Sequence, residues 1–69
     1  MASKRITADF SEEAYEALTE VSESLHTTKA ESLRRALGLI RFILRQQKEG
    51  WRLILEDKEG KERKEIVTL

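Results

Sequence analysis

The sequence predicts a small α+β protein that is completed by a second copy of the same chain. A short N-terminal run alternates polar and apolar residues, two stretches of helical periodicity follow it, and two β-prone runs flank a turn near the C-terminus. A core built from 69 residues seldom supplies more than about 3–5 kcal/mol by itself. The chain has no cysteine and one histidine, so disulfides and a zinc site are excluded as supports. We therefore expect an obligate oligomer.

The N-terminal run covers residues 4–10 and has the period of two that is typical of a β-strand. Its apolar face would carry Ile6, Ala8 and Phe10. Its polar face would carry Arg5, Thr7 and Asp9. A strand needs a neighbour for its backbone groups, and no β-prone run lies next to it in the sequence. The partner of this strand must therefore lie elsewhere.

The first helix is predicted to begin after Ser11, a favourable N-cap residue that is followed by Glu12 and Glu13. It should end near Leu25, because the next three residues are poor helix formers. One face of this helix is apolar and consists of Ala14, Leu18, Val21 and Leu25.

The second helix is predicted from Lys29 to about Lys48, with Thr28 and Glu31 forming a capping box at its start and Gly50 ending it. Its apolar surface covers about half of the circumference. The central stripe consists of Ala30, Leu33, Leu37, Ile40 and Leu44, and it is widened by Ala36, Leu39 and Ile43. A helix this apolar should pack against the first helix on one side and against its own copy on the other.

The C-terminal part is predicted to form a β-hairpin. One β-prone run covers residues 51–56 and the second covers residues 65–69, with turn residues from Asp57 to Gly60 between them. Gly60 should occupy the position with positive φ, and the charged stretch 61–65 should be ordered only at its ends. We expect Trp51 to cover the helix ends as an apolar plug.

The charge is balanced overall, with 13 basic and 13 acidic residues, which is unlike the basic excess of most nucleic-acid-binding proteins. The charges are nevertheless segregated along the chain. Residues 11–25 contain five glutamates and no basic residue, whereas residues 26–50 contain six basic and two acidic residues. This pattern indicates a protein with one acidic side and one basic side.

Neither a membrane protein nor an enzyme is expected. The sequence has no apolar run near 18 residues and no secretory signal pattern, so we expect a cytoplasmic protein. The single histidine and the absence of cysteine leave no nucleophile–base pair with an orienting group, so we expect no catalytic site, no metal and no cofactor.

The order of strand, helix, capped turn and longer helix over residues 4–48 resembles that of the ribbon-helix-helix DNA-binding proteins, the Arc, MetJ and CopG group. In that family the N-terminal strands of two chains pair antiparallel, and the resulting ribbon enters the major groove. The resemblance implies an intertwined homodimer, with residues 1–49 as the DNA-binding and dimerisation domain and residues 50–69 as a hairpin extension. It also implies a sequence-specific transcriptional regulator, most simply a repressor, that associates with the nucleoid.

The same resemblance implies a role for individual residues. The base-contacting residues would be Arg5, Thr7 and Asp9, since they face the groove. The phosphate-contacting residues would be Thr28 and Lys29, at a helix N-terminus that favours anions. The dimer core would consist of Ile6, Ala8, Phe10, Leu33, Leu37, Ile40 and Leu44.

Two residues depart from the family pattern. His26 stands where many members have glycine after the first helix, so the turn must either hold a non-glycine residue in the left-handed region or use another cap. Asp9 would bring a carboxylate towards phosphates. If the dyad passes through Thr7, Arg5 of one strand lies opposite Asp9 of the other, and Asp9 fits better as a partner of Arg5 than as a base contact.

Two alternatives stay open. The chain fits an antitoxin whose C-terminal hairpin binds a toxin protein, although antitoxins of this family usually end in a disordered tail. It also fits a dimeric interaction module that does not bind DNA, and the zero net charge is compatible with this alternative. For the DNA-binding regulator, the expected partners are double-stranded DNA and a second copy of the chain. Further association of dimers on DNA is compatible with that interpretation.

Overall fold

A computed structural model describes residues 3–67 of the chain. It contains two helices followed by an antiparallel two-stranded sheet: α1 Glu12–Ser24, α2 Lys29–Lys48, β1 Leu53–Glu56 and β2 Arg63–Ile66. The predicted α+β class, both helices and the C-terminal hairpin are confirmed. The described residues form two compact units that divide between Leu33 and Arg34.

The N-terminal segment differs from its prediction. Residues 3–10 contain neither strand nor helix, so the strand predicted over residues 4–10 is not formed in the single chain. The physical reason is the lack of a neighbouring strand, because β1 and β2 take each other as partners. The backbone is in the extended region at Ser11, with φ −66° and ψ 163°, where the segment joins α1.

In the first unit, the start of α1 and the start of α2 are each fixed by a side-chain cap. The Ser11 hydroxyl accepts a hydrogen bond from the N–H of Ala14 at 3.1 Å. The Thr28 hydroxyl accepts one from the N–H of Glu31, also at 3.1 Å. The predicted cap at Ser11 and the Thr28 half of the predicted capping box are confirmed, and each satisfies one of the free donors at a helix start.

The end of α1 uses a left-handed residue that is not glycine. His26 has φ 54°, the N–H of Thr27 donates to the carbonyl of Ser22 at 3.0 Å, and the N–H of His26 donates to the carbonyl of Glu23 at 3.1 Å. These two bonds form a Schellman motif. Of the two arrangements open at His26, the chain therefore adopts the left-handed one.

In the second unit, α2 ends with the same motif built on glycine. Gly50 has φ 96°, Trp51 donates its N–H to the carbonyl of Gln46 at 3.0 Å, and Gly50 donates to the carbonyl of Gln47 at 3.1 Å. Gly50 is thus the predicted stop, and the motif fixes the backbone of Trp51 directly beside the last turn of the helix.

No apolar side chain is buried among the described residues of either unit. Within residues 3–67 the buried residues are Ser22 and Ser32. Each serine hydroxyl donates to a carbonyl one turn earlier in its own helix, at 2.8 Å to Leu18 and at 3.0 Å to Thr28. The side chains predicted for the dimer core are exposed in the single chain, including Ile6, Phe10, Leu33, Leu37, Ile40 and Leu44. Their cover inside the chain is therefore incomplete, from Ile40 at 41% exposure to Ile6 at 90%.

The hairpin register is fixed by its turn. Asp57 donates its N–H to the carbonyl of Glu62 at 3.0 Å and accepts the N–H of Glu62 on its carboxylate at 2.7 Å. Gly60 has φ 74°, as predicted. The second strand begins at Arg63 rather than Glu65, and residues 68 and 69 of the predicted run lie outside the described residues.

The charged residues that were expected to prevent order at 61–65 instead take part in the strand. The Arg63 Nε atom lies 3.7 Å from the Glu56 carboxylate, and the Arg52 Nη1 atom lies 3.2 Å from Glu65. Both pairs are exposed, and charged side chains are compatible with a solvated sheet face when opposite charges meet across the strands.

Along the part of the chain that the structure describes, neither helix combines the length and the apolar character that a membrane-spanning segment requires.

Candidate nucleic-acid interface

The residues predicted to contact bases lie in the exposed N-terminal segment. Arg5, Thr7 and Asp9 are exposed, and Ile6 between them is 90% exposed. Their separation into two faces is not established in the single chain, because Asp9 lines the same groove as Ala8 and Phe10. The alternation of the sequence becomes a difference between faces only when the segment is held as a strand.

The surroundings of Asp9 are acidic. The groove that it lines also contains Glu12 and Glu16 of the first helix, together with Tyr15. Three carboxylates on one groove oppose the approach of a phosphate backbone. An arginine opposite Asp9 would offset part of this charge, so the local electrostatics favour Asp9 as a partner of Arg5 over Asp9 as a base contact.

Thr28, one of the predicted phosphate contacts, serves as the N-cap of α2. Its hydroxyl oxygen accepts the N–H of Glu31, and its carbonyl accepts both the N–H and the hydroxyl of Ser32, at 2.9 and 3.0 Å. A hydroxyl that accepts a hydrogen bond still carries a proton that it can donate. Thr28 can therefore cap the helix and donate to a phosphate oxygen at the same time.

Lys29, the other predicted phosphate contact, is held by an aromatic ring. Its Nζ atom lies 5.2 Å from the centroid of the Tyr15 ring, within the range of a cation–π interaction. The contact restrains a flexible side chain at the start of α2, where the free N–H groups of the first turn already favour an anion.

Tyr15 was not singled out from the sequence. It is 14 positions from Lys29 and lies on the other helix, so no helical spacing connects the two residues. The available signal in the sequence was modest: Tyr15 is an aromatic residue that follows Ala14 of the predicted apolar stripe. Its contact with Lys29 links α1 to the candidate phosphate site.

An exposed apolar stripe follows one side of α2 in the second unit. Leu37, Ile40 and Leu44 line a shallow groove, and the basic residues Arg41, Arg45 and Lys48 border it. The three apolar residues belong to the predicted dimer core. Exposed apolar side chains that lie next to arginine in one groove are compatible with a protein–protein interface.

A second apolar region surrounds the end of α2. A cavity of about 340 Å³ is lined by Phe42, Ile43, Trp51 and Leu53, together with Gln46, Gln47 and Arg52. Trp51 is 65% exposed, so the prediction that it forms a plug over the helix ends is wrong for the single chain. The Schellman motif holds its backbone against the helix, while its ring borders an open cavity.

Comparison of the chain with known protein families, curated proteins and solved structures found no match. The resemblance to ribbon-helix-helix proteins therefore rests on the sequence pattern of residues 4–48 alone, because the described elements are two helices followed by a hairpin, without an N-terminal strand.

Proposed function

We propose that the protein is a homodimeric, sequence-specific DNA-binding regulator, in which the N-terminal segments of two copies pair as a ribbon that enters the major groove. The observation that carries the proposal is the exposed, alternating segment ahead of two helices. Ile6 is 90% exposed and lies between two polar residues, so it has no cover within its own chain. Antiparallel pairing with a second copy supplies the missing backbone partner and places one face on the helices.

The absence of an apolar core supports the dimer. No apolar side chain among residues 3–67 is buried, although both helices have clear apolar faces. Apolar burial is the dominant favourable term in folding, and a small domain without it depends on association. In the proposed dimer, the faces of Ile6, Leu37 and Ile40 are covered by the second copy.

The ribbon accounts for the polar face of the segment. With the dyad at Thr7, Arg5 of one copy lies opposite Asp9 of the other, twice in each dimer. Arg5 can then extend towards a guanine, for which the bidentate guanidinium is suited, and Thr7 towards a base edge or a thymine methyl group. Asp9 offsets charge and fixes the register.

The start of α2 supplies the phosphate contacts. The Lys29 ammonium, restrained over the Tyr15 ring, and the Thr28 hydroxyl lie at the helix end that attracts anions. Such contacts hold the ribbon at a fixed depth without distinguishing sequences.

The test is a selection of bound sequences from random DNA, followed by gel shifts with the selected site and with unrelated DNA at about 150 mM salt. Arg5→Ala removes a predicted guanine contact worth about 1–3 kcal/mol, twice per dimer, so the ratio of specific to non-specific affinity should fall at least about thirty-fold. Lys4→Ala is the matched control, because it removes the same charge from the neighbouring position on the other face of the ribbon.

The result expected for Lys4→Ala is a weaker affinity for all DNA with an unchanged ratio. An unchanged ratio for Arg5→Ala would contradict the assignment of the polar face. A selection that enriches no sequence at all, from a protein that is folded and dimeric, would refute DNA recognition.

That last outcome would favour the second candidate function, a dimeric interaction module. The grouping of Asp9 with Glu12 and Glu16 favours this candidate, because it is unfavourable for DNA, and so does the zero net charge.

A further inference from the structure

The hairpin of the second unit has one edge that is suited to pairing with another strand. The N–H of Asp57 donates to the carbonyl of Glu62, so this pair is of the hydrogen-bonded kind. Hydrogen-bonded and non-hydrogen-bonded pairs alternate along an antiparallel ladder, and the register continues through Leu55 and Leu53. These two residues thus bond to β2. The backbone groups of Arg52, Ile54 and Glu56 point to the free edge of β1.

The two edges of the hairpin differ in character. The free edge of β2 belongs to a strand with three consecutive charged residues, Arg63 to Glu65, a composition that discourages further pairing. β1 has the sequence Leu-Ile-Leu-Glu and lacks this protection. A short, apolar and unprotected strand edge forms hydrogen bonds with another strand wherever one fits.

The sequence of β1 is complementary to itself when two copies run antiparallel around Ile54. Ile54 then faces Ile54 of the second copy in a hydrogen-bonded pair, and Leu53 faces Leu55. Arg52 faces Glu56, twice across the dyad. A shift of the register by two residues places Arg52 opposite Ile54 in one direction and opposite Lys58 in the other, so the charges match only in the central register.

The charges already present within each hairpin extend this pattern. Glu56 lies 3.7 Å from Arg63 of its own hairpin, and Arg52 lies 3.2 Å from Glu65. On one face of the paired sheet, charged side chains of alternating sign therefore form a row across the strands. The row consists of Arg63 and Glu56 of one copy, followed by Arg52 and Glu65 of the other. The opposite face carries Leu53, Leu55 and Ile66, together with Lys64, which lies opposite Leu55.

We infer that the β1 strands of two copies of this chain pair antiparallel around Ile54 and form a four-stranded sheet with β1 at its centre and β2 at its edges. The occupant of the free edge is a second copy of the chain, because self-complementary charges and apolar pairs meet in a single register. This contact is separate from the N-terminal ribbon and does not depend on DNA binding. It gives the C-terminal hairpin a role in assembly.

The first experiment is disulfide trapping in the full-length chain, which has no cysteine of its own. Hydrogen-bonded antiparallel pairs have Cα atoms about 5.5 Å apart, within the range that a disulfide bridges. Ile54→Cys should therefore form a covalent dimer under mild oxidation, as seen on a non-reducing gel. Glu65→Cys is the control, because Glu65 lies directly opposite Ile54 in the hairpin but belongs to the outer strand of the proposed sheet, away from the dyad.

The result that supports the inference is rapid cross-linking of the Ile54→Cys protein at concentrations where the Glu65→Cys protein stays monomeric on the gel. Equal cross-linking of the two variants would indicate random collision and would overturn it. Absence of cross-linking in an Ile54→Cys protein with a normal circular dichroism spectrum would also overturn it, and the edge would then belong to a different occupant.

The second experiment reverses the charges in the Ile54→Cys background and uses the cross-linking yield as the readout. Arg52→Glu and Glu56→Arg each place like charges opposite each other twice, so each variant alone should pair about tenfold more weakly. In a mixture of the two variants, a chain that is acidic at both positions faces a chain that is basic at both. Opposite charges then meet at both places across the dyad, so cross-linking should be recovered between unlike chains.

The double variant separates this effect from damage within the hairpin. Arg52→Glu with Glu56→Arg restores both pairs between copies but leaves like charges against Glu65 and Arg63 inside each hairpin. Recovery of cross-linking in the double variant therefore supports pairing between copies. If the double variant and the mixture both remain as weak as the single variants, the register around Ile54 is refuted.

Discussion

Leu37→Ala measures how much the proposed dimer depends on the apolar stripe of α2. Leu37 is 68% exposed in the single chain, and it lines the groove with Ile40 and Leu44. Full burial of a leucine side chain stabilises by about 1.5–3 kcal/mol, so covering the exposed two thirds of Leu37 contributes about 1–2 kcal/mol per copy. A twofold interface contains the residue twice, which gives about 2–4 kcal/mol per dimer.

This free energy converts to a weakening of the dimer by about 30-fold to about 700-fold in Kd. The cavity that the truncation leaves in the interface weakens the dimer further. This cost offsets the small stabilisation that the alanine side chain still contributes by its own burial. The measurement is sedimentation equilibrium over a dilution series, with circular dichroism at each concentration to follow folding. Leu37→Asp carries the same test further, because a buried unpaired carboxylate should abolish both the dimer and the fold.

Leu39→Ala is the matched control for this experiment. Leu39 is 60% exposed, close to the value for Leu37, and the same atoms are removed. The two residues are two positions apart in α2, which places them about 200° apart around the helix axis. The Kd should change much less for Leu39→Ala than for Leu37→Ala. Equal weakening by both variants, or none by Leu37→Ala, would refute the assignment of the Leu37 side as the interface.

Two further predictions concern single residues of the first unit. Lys29→Ala should weaken binding to all DNA sequences alike and lower the salt dependence by about one phosphate contact per copy, as measured by titrations at several salt concentrations; a loss confined to the selected site would contradict a phosphate role. His26→Gly should stabilise the protein by about 0.5–1 kcal/mol in urea denaturation. A non-glycine residue at φ 54° is strained, and the free energy of this strain exceeds the conformational entropy that glycine loses on folding. A lower urea midpoint for His26→Gly would show that the imidazole makes a compensating interaction.

The helices and the hairpin turn could be predicted because their signals are local. Ser11, Thr28 and Gly50 mark helix ends through interactions with residues at most five positions away, and each functions in the structure as predicted. Gly60 has the positive φ that its place in the turn required. Capping and turn chemistry depend on the nearest neighbours in the chain, which the sequence displays directly.

The strand boundaries were harder to predict, since they depend on cross-strand pairing. The charges of Arg63, Lys64 and Glu65 suggested disorder, but the pairing of Glu56 with Arg63 compensates for part of that charge in the solvated sheet. The contact of Lys29 with Tyr15 was missed for a similar reason, because it depends on the angle between two helices at their turn.

The N-terminal segment is the element whose predicted strand is absent from the single chain. The alternation from Arg5 to Asp9 predicts a strand, but a strand is stable only beside another strand, and the hairpin strands are already paired with each other. In the proposed dimer, a second copy supplies the neighbouring strand that the fold of a single chain does not provide. The proposed roles of Arg5 and Thr7 depend on that pairing.

The absence of apolar residues beside the two buried serines, among the described residues, affects how fast the protein folds and how long it survives proteolysis. A chain whose buried residues, among those described, are Ser22 and Ser32 has little to drive collapse on its own, since both hydroxyls only satisfy their own helices. In the proposed dimer, folding becomes a bimolecular event whose rate rises with the number of copies present. Newly made chains that do not meet a partner remain open to proteases. The abundance of the protein would then set the fraction that survives, which gives a regulator a threshold in its own concentration.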